Sequence, residues 1–163
     1  MIKVAIITVS DKGALGQRED LSGKTIEKVL EKIDAQAIWY TIVPDEVSLI
    51  KAALIEAIEI QKADLVLTTG GTGLSKSDVT PEATRAVIEK AVPGISEIIR
   101  MESFKKTPQA VLSRAIAGIR GNSLIINLPG SPKGVRESLS VILEALPHGI
   151  AILQGEATEC GKE

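Results

Sequence analysis

The chain has 163 residues, a length that fits one domain with a sizeable core. Hydrophobic residues make up 44% of the chain and charged residues 25%, as in ordinary globular proteins. The formal net charge of −2 gives no electrostatic footprint for nucleic acid, and a single cysteine and a single histidine exclude an internal disulfide and a multi-histidine metal site.

Short apolar runs alternate with apolar residues at helical spacing along the chain. In chain order, the pattern predicts strand 3–9, helix 23–33, strand 36–43, helix 47–60, strand 65–69, helix 81–90, helix 93–105, short helix 108–114, strands 115–120 and 123–128, and helix 135–146. Ser22, Thr80 and Thr107 are the predicted helix caps, and a terminal segment begins at Pro147. The alternation predicts one α/β domain over residues 1–163 with a doubly wound, mainly parallel sheet.

The glycine-rich stretch TTGGTG, residues 68–73, follows the third predicted strand. It is not a P-loop, because Leu74 stands where that motif needs lysine. Its glycines allow close backbone approach to an anion, and successive amides can form an anion-binding nest. A tight turn without a ligand is the alternative interpretation. The predicted binding residues are Thr69, Gly70, Gly71, Thr72 and Gly73.

Acidic and hydroxyl residues follow the predicted strands at their carboxyl ends. Ser10 and Asp11 follow the first strand, Asp45 follows the second, and Asp78 lies in the loop beyond Gly73. Because parallel strands end at one sheet edge, we expect these groups to converge. Two carboxylates beside a phosphate site predict a divalent cation, with Asp45 and Asp78 as Mg²⁺ ligands. Taken singly, Asp45 is also consistent with a helix cap and Asp78 with a solvated loop acid.

A second loop, LPGSPKG at residues 128–134, also leaves a strand and enters a helix. Gly130 permits close approach of a ligand, and Ser131 and Lys133 can contact an anion. Asn127 is predicted to satisfy neighbouring backbone groups. A plain strand-to-helix connection is the alternative interpretation of this loop.

Three further residues are interpreted structurally. Trp39 is predicted to be a half-buried strand residue, His148 a surface or interface residue, and Cys160 incidental to function. The short apolar run at the start lacks the features of a signal peptide, and no segment has the length of a membrane span. We therefore expect a cytoplasmic protein without a membrane or nucleic-acid partner.

The quoted motifs resemble those of one known family. TTGGTGLSKSDVTPEAT is similar to the signature of molybdopterin adenylyltransferases, the Mog/MoaB proteins of molybdenum cofactor biosynthesis. ITVSDKG near the start, VPDE at 43–46 and INLPGSPKG at 126–134 match in order and spacing, and the similarity covers nearly the whole chain. The resemblance implies a three-layer α/β/α fold, a homotrimer or homohexamer, and contacts with other proteins of that pathway.

The resemblance also implies a Mg²⁺-dependent reaction. In it, the terminal phosphate of molybdopterin attacks the α-phosphate of ATP, which gives adenylyl-molybdopterin and pyrophosphate. By motif position, Asp45 and Asp78 match the two functionally important acids of the family and are the predicted catalytic residues. The residues matching its binding loops are Ser10, Asp11, Gly70, Gly71, Thr72, Gly73, Pro129, Gly130 and Ser131.

One position departs from the family pattern. The family usually has arginine directly before the acid that Asp78 matches, whereas this chain has Ser77. The adjacent Lys76 supplies a positive charge but cannot form the bidentate fork of arginine. Since some family members bind pterin without adenylylating it, two functions stay open: an adenylyltransferase, and a non-catalytic molybdopterin-binding or scaffold protein.

Overall fold

The computed structural model describes residues 1–156, which form a six-stranded mixed sheet with helices on both faces. The strands are β1 (Ile2–Val9), β2 (Ala35–Val43), β3 (Leu65–Thr69), β4 (Lys90–Ala91), β5 (Ala117–Arg120) and β6 (Ser123–Leu128). Their order is β2-β1-β3-β6-β5-β4. The first four strands of that order run parallel, β5 pairs antiparallel with β6, and the short edge strand β4 pairs antiparallel with β5. The predicted three-layer, mainly parallel α/β fold is confirmed.

Seven α-helices connect or flank the strands within this part of the chain. They are α1 (Asp11–Ala14), α2 (Leu21–Leu30), α3 (Val47–Ile55), α4 (Thr80–Arg85), α5 (Pro93–Phe104), α6 (Pro132–Ile142) and α7 (Leu146–Leu153). A π-helical turn, Glu56–Ile60, extends α3, and 3-10 helices occupy Pro108–Leu112 and Leu143–Ala145.

The central strands are apolar because helices cover both of their faces. Side chains alternate between faces along a strand, so Val4 and Ile6 of β1 enter one core, and Ala5 and Ile7 enter the other. The first core packs against α2, α5, α6 and α7, and the second against α3 and α4. This double burial fixes the strand register, and with it the positions of the loops that leave the strand ends.

Two predicted helix caps are wrong. The cap of α2 is Asp20, whose carboxylate accepts from the amides of Ser22 and Gly23, so Ser22 lies inside the first turn. The cap position of α4 is Val79, and Thr80 is the first helical residue. In both places the predicted hydroxyl donates to a loop carbonyl instead of accepting from its own helix.

Two predicted element ends are also wrong. The helix predicted over 81–90 ends at Arg85, because the chain turns to pair Lys90–Ala91 with β5. The predicted terminal segment is helical as α7, because Leu146 and Ile150 are buried in the first core. Burial here outweighs the weak helical preference of LPHGIAIL.

The structure agrees with two of the single-residue predictions. Trp39 is half-buried against the second core, and His148 is exposed. Cys160 lies outside the described residues. Among residues 1–156, no helix is both long enough and apolar enough to cross a membrane.

Candidate functional site

Loops from the four parallel strands meet at one edge of the sheet. β1 leads to Ser10 and Asp11, β2 to Asp45, β3 to the glycine loop at 70–73, and β6 to the loop at 129–131. The central position of β1 and β3 between β2 and β6 puts these loops side by side. The structure therefore brings together the groups that the sequence predicted would converge.

Asp11 and Asp45 hold each other through reciprocal hydrogen bonds. The Asp11 amide donates to Asp45 Oδ2 at 3.1 Å, and the Asp45 amide donates to Asp11 Oδ1 at 2.8 Å. Burial raises the pKa of Asp45. The hydrogen bond from the Asp11 amide lowers this pKa, and the negative charges of the Asp11 and Asp78 carboxylates raise it. Burial is the main cause of this raised pKa, and the part due to the two neighbouring carboxylates is one that a bound cation would relieve.

The glycine loop is tightly packed in a conformation that favours glycine. Gly70 and Gly71 have φ values of +98° and +66°. A Cβ on Gly70 would lie 2.3 Å from the Val9 carbonyl oxygen, and one on Gly71 would lie 2.3 Å from Thr80 Oγ1 and 3.2 Å from Asp45 Oδ1. The Thr80 hydroxyl donates to the Gly70 carbonyl at 2.9 Å. The backbone thus approaches its neighbours more closely than any other residue would allow.

Three amides of this loop are open to a ligand. The Gly70 amide donates to the Leu128 carbonyl at 3.2 Å and is therefore occupied. Within residues 1–156, the amides of Gly71, Thr72 and Gly73 have no hydrogen-bond acceptor. Successive amides of this kind are suited to an anion such as phosphate.

Asp78 returns to the glycine loop through a short turn. Its carboxylate Oδ2 accepts from the Ser75 amide at 3.0 Å, and its own amide donates to the Ser75 carbonyl at 3.0 Å. A Cβ on Gly73 would lie 2.8 Å from this Oδ2. The hydroxyls of Ser75 and Ser77 are 3.1 Å apart, so Ser77 is engaged within the turn.

Arg114, which was not among the residues predicted from the sequence, joins this turn to the glycine loop. Its amide donates to the Thr72 carbonyl, its Nε to the Gly73 carbonyl at 2.7 Å, and its Nη2 to the Asp78 carbonyl at 2.6 Å. Its Nη1 forms an ion pair with Glu82. Burial raises the pKa of Glu82, but hydrogen bonding and the charge of Arg114 lower it overall. Arg114 is 41 residues from Gly73, and no local spacing marks it as a site residue.

Two side-chain hydroxyls from other elements donate hydrogen bonds to the loop at 129–131. Thr69 Oγ1 donates to the Pro129 carbonyl at 2.7 Å, and Ser22 Oγ donates to the Gly130 carbonyl at 2.8 Å. The Ser131 hydroxyl caps α6.

Asn127 of β6 bridges buried groups: its Oδ1 accepts from the Ile116 amide, and its Nδ2 donates to the hydroxyls of Thr68 and Thr84. The predicted role of Asn127 is therefore found for one backbone group, the Ile116 amide, whereas its Nδ2 bonds to side chains.

Two cavities flank the loop at 129–131 and share Ser131. One, of about 480 Å³, is lined by Thr72, Gly73, Arg100 and Lys133 among others. The other, of about 460 Å³, is lined by Ser10, Gly13, Arg18, Ser22 and Gly130 among others. Each has the size of a small-molecule site, and each includes at least one cationic side chain.

Asp20 organises the wall of the second cavity. It accepts from Thr8 Oγ1 at 2.5 Å, from Tyr40 Oη at 2.6 Å, and from the amides of Ser22 and Gly23 at 3.0 Å. Burial opposes ionisation of Asp20, but these donors outweigh burial and lower its pKa. Asp20 therefore places the start of α2, and hence the Ser22 hydroxyl that holds Gly130.

Replacing Asp20 with asparagine is expected to lower the free energy of unfolding by about 1–2 kcal/mol at neutral pH, since hydrogen bonds to a charged acceptor are lost at a half-exposed position. The pKa of Asp20 lies below its ordinary value of 3.8, so its contribution is present above that value and is lost as the pH falls through the lowered one. Urea unfolding of wild type and variant, at neutral pH and at about pH 3, measures the difference in their free energies of unfolding. An equal difference from wild type at both pH values would contradict the assignment.

Together these features define an α/β protein whose candidate ligand site lies at the carboxyl edge of the parallel strands, where open sheets of this type generally bind ligands. Residues 5–148 match the family described as "Probable molybdopterin binding domain", and the chain belongs to that family of molybdenum cofactor biosynthesis proteins. The predicted family is confirmed.

Relatives of named function are similar over almost the whole chain. A molybdopterin adenylyltransferase of Helicobacter pylori (strain ATCC 700392 / 26695) is 46% identical over 156 residues, which are 94% of this chain and 89% of that protein. The crystal structure of the molybdopterin biosynthesis enzyme MoaB from Thermus thermophilus has a TM-score of 0.90 at 48% identity, covering 95% of this chain and 98% of that one. A tungsten cofactor synthesising protein, MoaB from Pyrococcus furiosus, has a TM-score of 0.84 at 40% identity, covering 94% and 96%.

Proposed function

We propose that this protein is a molybdopterin adenylyltransferase that uses ATP and Mg²⁺. The observation that carries the proposal is the meeting of three unpaired loop amides, at Gly71 to Gly73, with the carboxylates of Asp45 and Asp78. Donors for phosphate and acids for a cation are the two requirements of phosphoryl-type transfer, which needs positioning and charge neutralisation more than covalent help. The names of relatives such as the Helicobacter pylori enzyme support the same substrate.

The bonds that change are those at the α-phosphorus of ATP. An oxygen of the terminal phosphate of molybdopterin forms a bond to this phosphorus, and the bond from it to the bridging oxygen breaks. Adenylyl-molybdopterin and pyrophosphate result. The amides of Gly71, Thr72 and Gly73 bind phosphate oxygens and hold them in position for the displacement.

The acids present fit a Mg²⁺ ion that is shared with substrate. Asp45 Oδ2 and Asp78 Oδ2 accept amide bonds, whereas within residues 1–156 each Oδ1 has no donor and is available to a metal. In this part of the chain, no group of three or more acidic, histidine or cysteine side chains has metal-binding geometry. That suits Mg²⁺, which commonly takes one or two carboxylates and completes its shell with substrate phosphates and water. When bound, the ion would neutralise phosphate charge.

Incubation with molybdopterin, ATP and Mg²⁺ is expected to yield adenylylated product and pyrophosphate in equal amounts. Chelation with EDTA should stop product formation but leave molybdopterin bound, because the backbone amides do not depend on the metal. Product analysis by mass spectrometry, a pyrophosphate assay and equilibrium binding of molybdopterin measure the three quantities. Undiminished turnover after chelation would remove the proposed role of the metal.

A second candidate, a non-catalytic molybdopterin-binding protein, is favoured by Ser77. Its hydroxyl contacts Ser75, and it supplies no positive charge where the family usually has arginine. This candidate predicts tight molybdopterin binding with no ATP- and Mg²⁺-dependent product. The same incubation therefore decides between the two functions.

Three predictions about the cellular form of the protein accompany the proposal. A cytoplasmic location, a homotrimer or homohexamer, and contacts with other proteins of the pathway stay predictions. Sedimentation equilibrium of the purified protein measures its oligomeric mass, and only the mass of a trimer or a hexamer agrees with the prediction.

A further inference from the structure

Arg114 contacts the candidate site but lies outside the sequence motifs named above. It lies between the 3-10 helix Pro108–Leu112 and β5, and its side chain is 34% exposed. Its guanidinium uses all three nitrogens: Nε on the Gly73 carbonyl, Nη2 on the Asp78 carbonyl, and Nη1 on Glu82. Neither its side chain nor its amide contacts the open amides of the glycine loop.

The two carbonyls that Arg114 holds lie at the two ends of one segment, residues 73–78. A planar guanidinium offers its donors in a fixed fork, so it sets the separation and orientation of the two ends together. The segment's own polar contacts are short-range bonds among Ser75, Ser77 and Asp78. Those bonds shape the turn. Thr80, two residues beyond it, ties the chain to the Gly70 and Gly71 carbonyls, whereas the Arg114 side chain bonds the turn at both of its ends.

We propose that Arg114 is a positioning residue that fixes the Asp78 carboxylate against the glycine loop, and thereby sets how well Asp78 binds the metal. The chain of contacts runs from the guanidinium to the Asp78 carbonyl, and from there to the Asp78 side chain, whose Oδ2 lies against Gly73. Glu82 holds the third nitrogen and orients the fork. The effect on metal binding rests on the proposed function, because that function supplies the Mg²⁺. The positioning of the turn by Arg114 does not rest on it.

The principal test replaces Arg114 with lysine, which keeps the charge and loses the fork. Residues that orient a metal ligand typically change metal affinity or activity by about 10–100-fold when replaced. We expect Arg114→Lys to lower kcat within that range and to raise the Mg²⁺ concentration at half-maximal rate, while molybdopterin binding stays unchanged. Arg85→Lys, at an exposed position on α4, is the matched control and should behave as wild type. In Arg114→Ala, added guanidinium should restore part of the rate and methylammonium should not.

Hydrogen exchange of the ligand-free protein tests the positioning without any turnover. Within residues 73–78, the amides of Ser75 and Asp78 are the well hydrogen-bonded ones, and we expect faster exchange there in Arg114→Lys, with the amides of β1 and β3 unchanged. Glu82→Gln should produce a smaller change in the same segment. If wild type forms no adenylylated product, the proposed function fails, and the exchange experiment still decides the role of Arg114. Exchange in 73–78 equal to wild type, or acceleration spread over the whole sheet, would overturn the inference.

Discussion

Replacing Asp78 with asparagine is expected to lower the rate of adenylyl transfer by on the order of 100-fold or more, which corresponds to about 3 kcal/mol of transition-state stabilisation. The amide keeps the shape of the side chain but loses the negative charge that would hold Mg²⁺ against the substrate phosphates. Asparagine still offers an oxygen to the Ser75 amide, so the turn and the fold should be retained. Single-turnover rates over a series of Mg²⁺ concentrations, together with thermal unfolding, measure both effects.

The control for this variant is Glu144→Gln, which removes a carboxylate at an exposed position in the 3-10 helix Leu143–Ala145. It changes net charge by the same amount as Asp78→Asn, so any general electrostatic effect on the substrates appears in both proteins. We expect wild-type turnover from it. Wild-type turnover from Asp78→Asn itself would show that Asp78 has no part in metal binding, and the proposed assignment would then be wrong.

The strands and the loops that follow them could be predicted from the sequence because their signals are local. β-branched runs such as residues 3–9 are long enough to span a sheet and too apolar to lie on a surface. Once several such strands are parallel, the residues after them must lie at one edge. The convergence of Asp11, Asp45 and the glycine loop follows from topology alone.

Thr107 occupies its predicted cap position, but the cap of α2 could not be predicted, because its choice depends on contacts between distant residues. Asp20 and Ser22 are both good cap residues by type. Asp20 takes the role because Thr8 and Tyr40, from two neighbouring strands, donate to the same carboxylate. Ser22 is then free to hold Gly130, 108 residues away. No local pattern contains that information.

Arg114 was missed for the same physical reason. Its three side-chain contacts lie 32 to 41 residues earlier in the chain, and two of them are to main-chain carbonyls, which have no signature in sequence. The end of α4 at Arg85 also depends on a contact with a distant segment. Lys90–Ala91 pairs with β5, and there Gly118 leaves room for the Ile88 side chain. Long-range pairing decided these features, and helical propensity did not.

Replacing Gly70 with alanine is expected to lower the free energy of unfolding by about 3 kcal/mol or more, through two separate effects. A positive φ costs a residue with a Cβ about 1–2 kcal/mol, and overpacking typically costs a further 1–3 kcal/mol. The Cβ would lie 2.3 Å from the Val9 carbonyl oxygen. This contact is with backbone at the end of β1, where Val9 is in register with Val43 of β2, so it cannot be relieved by turning a side chain.

Gly16→Ala separates the two effects, because Gly16 has a φ of +69° and nothing lies within 4 Å of an added Cβ. It should therefore show the conformational cost alone, about 1–2 kcal/mol. The excess loss in Gly70→Ala measures the clash with Val9, and urea unfolding of both variants gives it directly. Since relief of the clash requires the loop to move, the open amides of Gly71 to Gly73 should shift too, and molybdopterin binding should weaken in Gly70→Ala but not in Gly16→Ala. Equal stability of the two variants would mean that the loop does not approach β1 as closely in solution, and the anion site built on that approach would lose its basis.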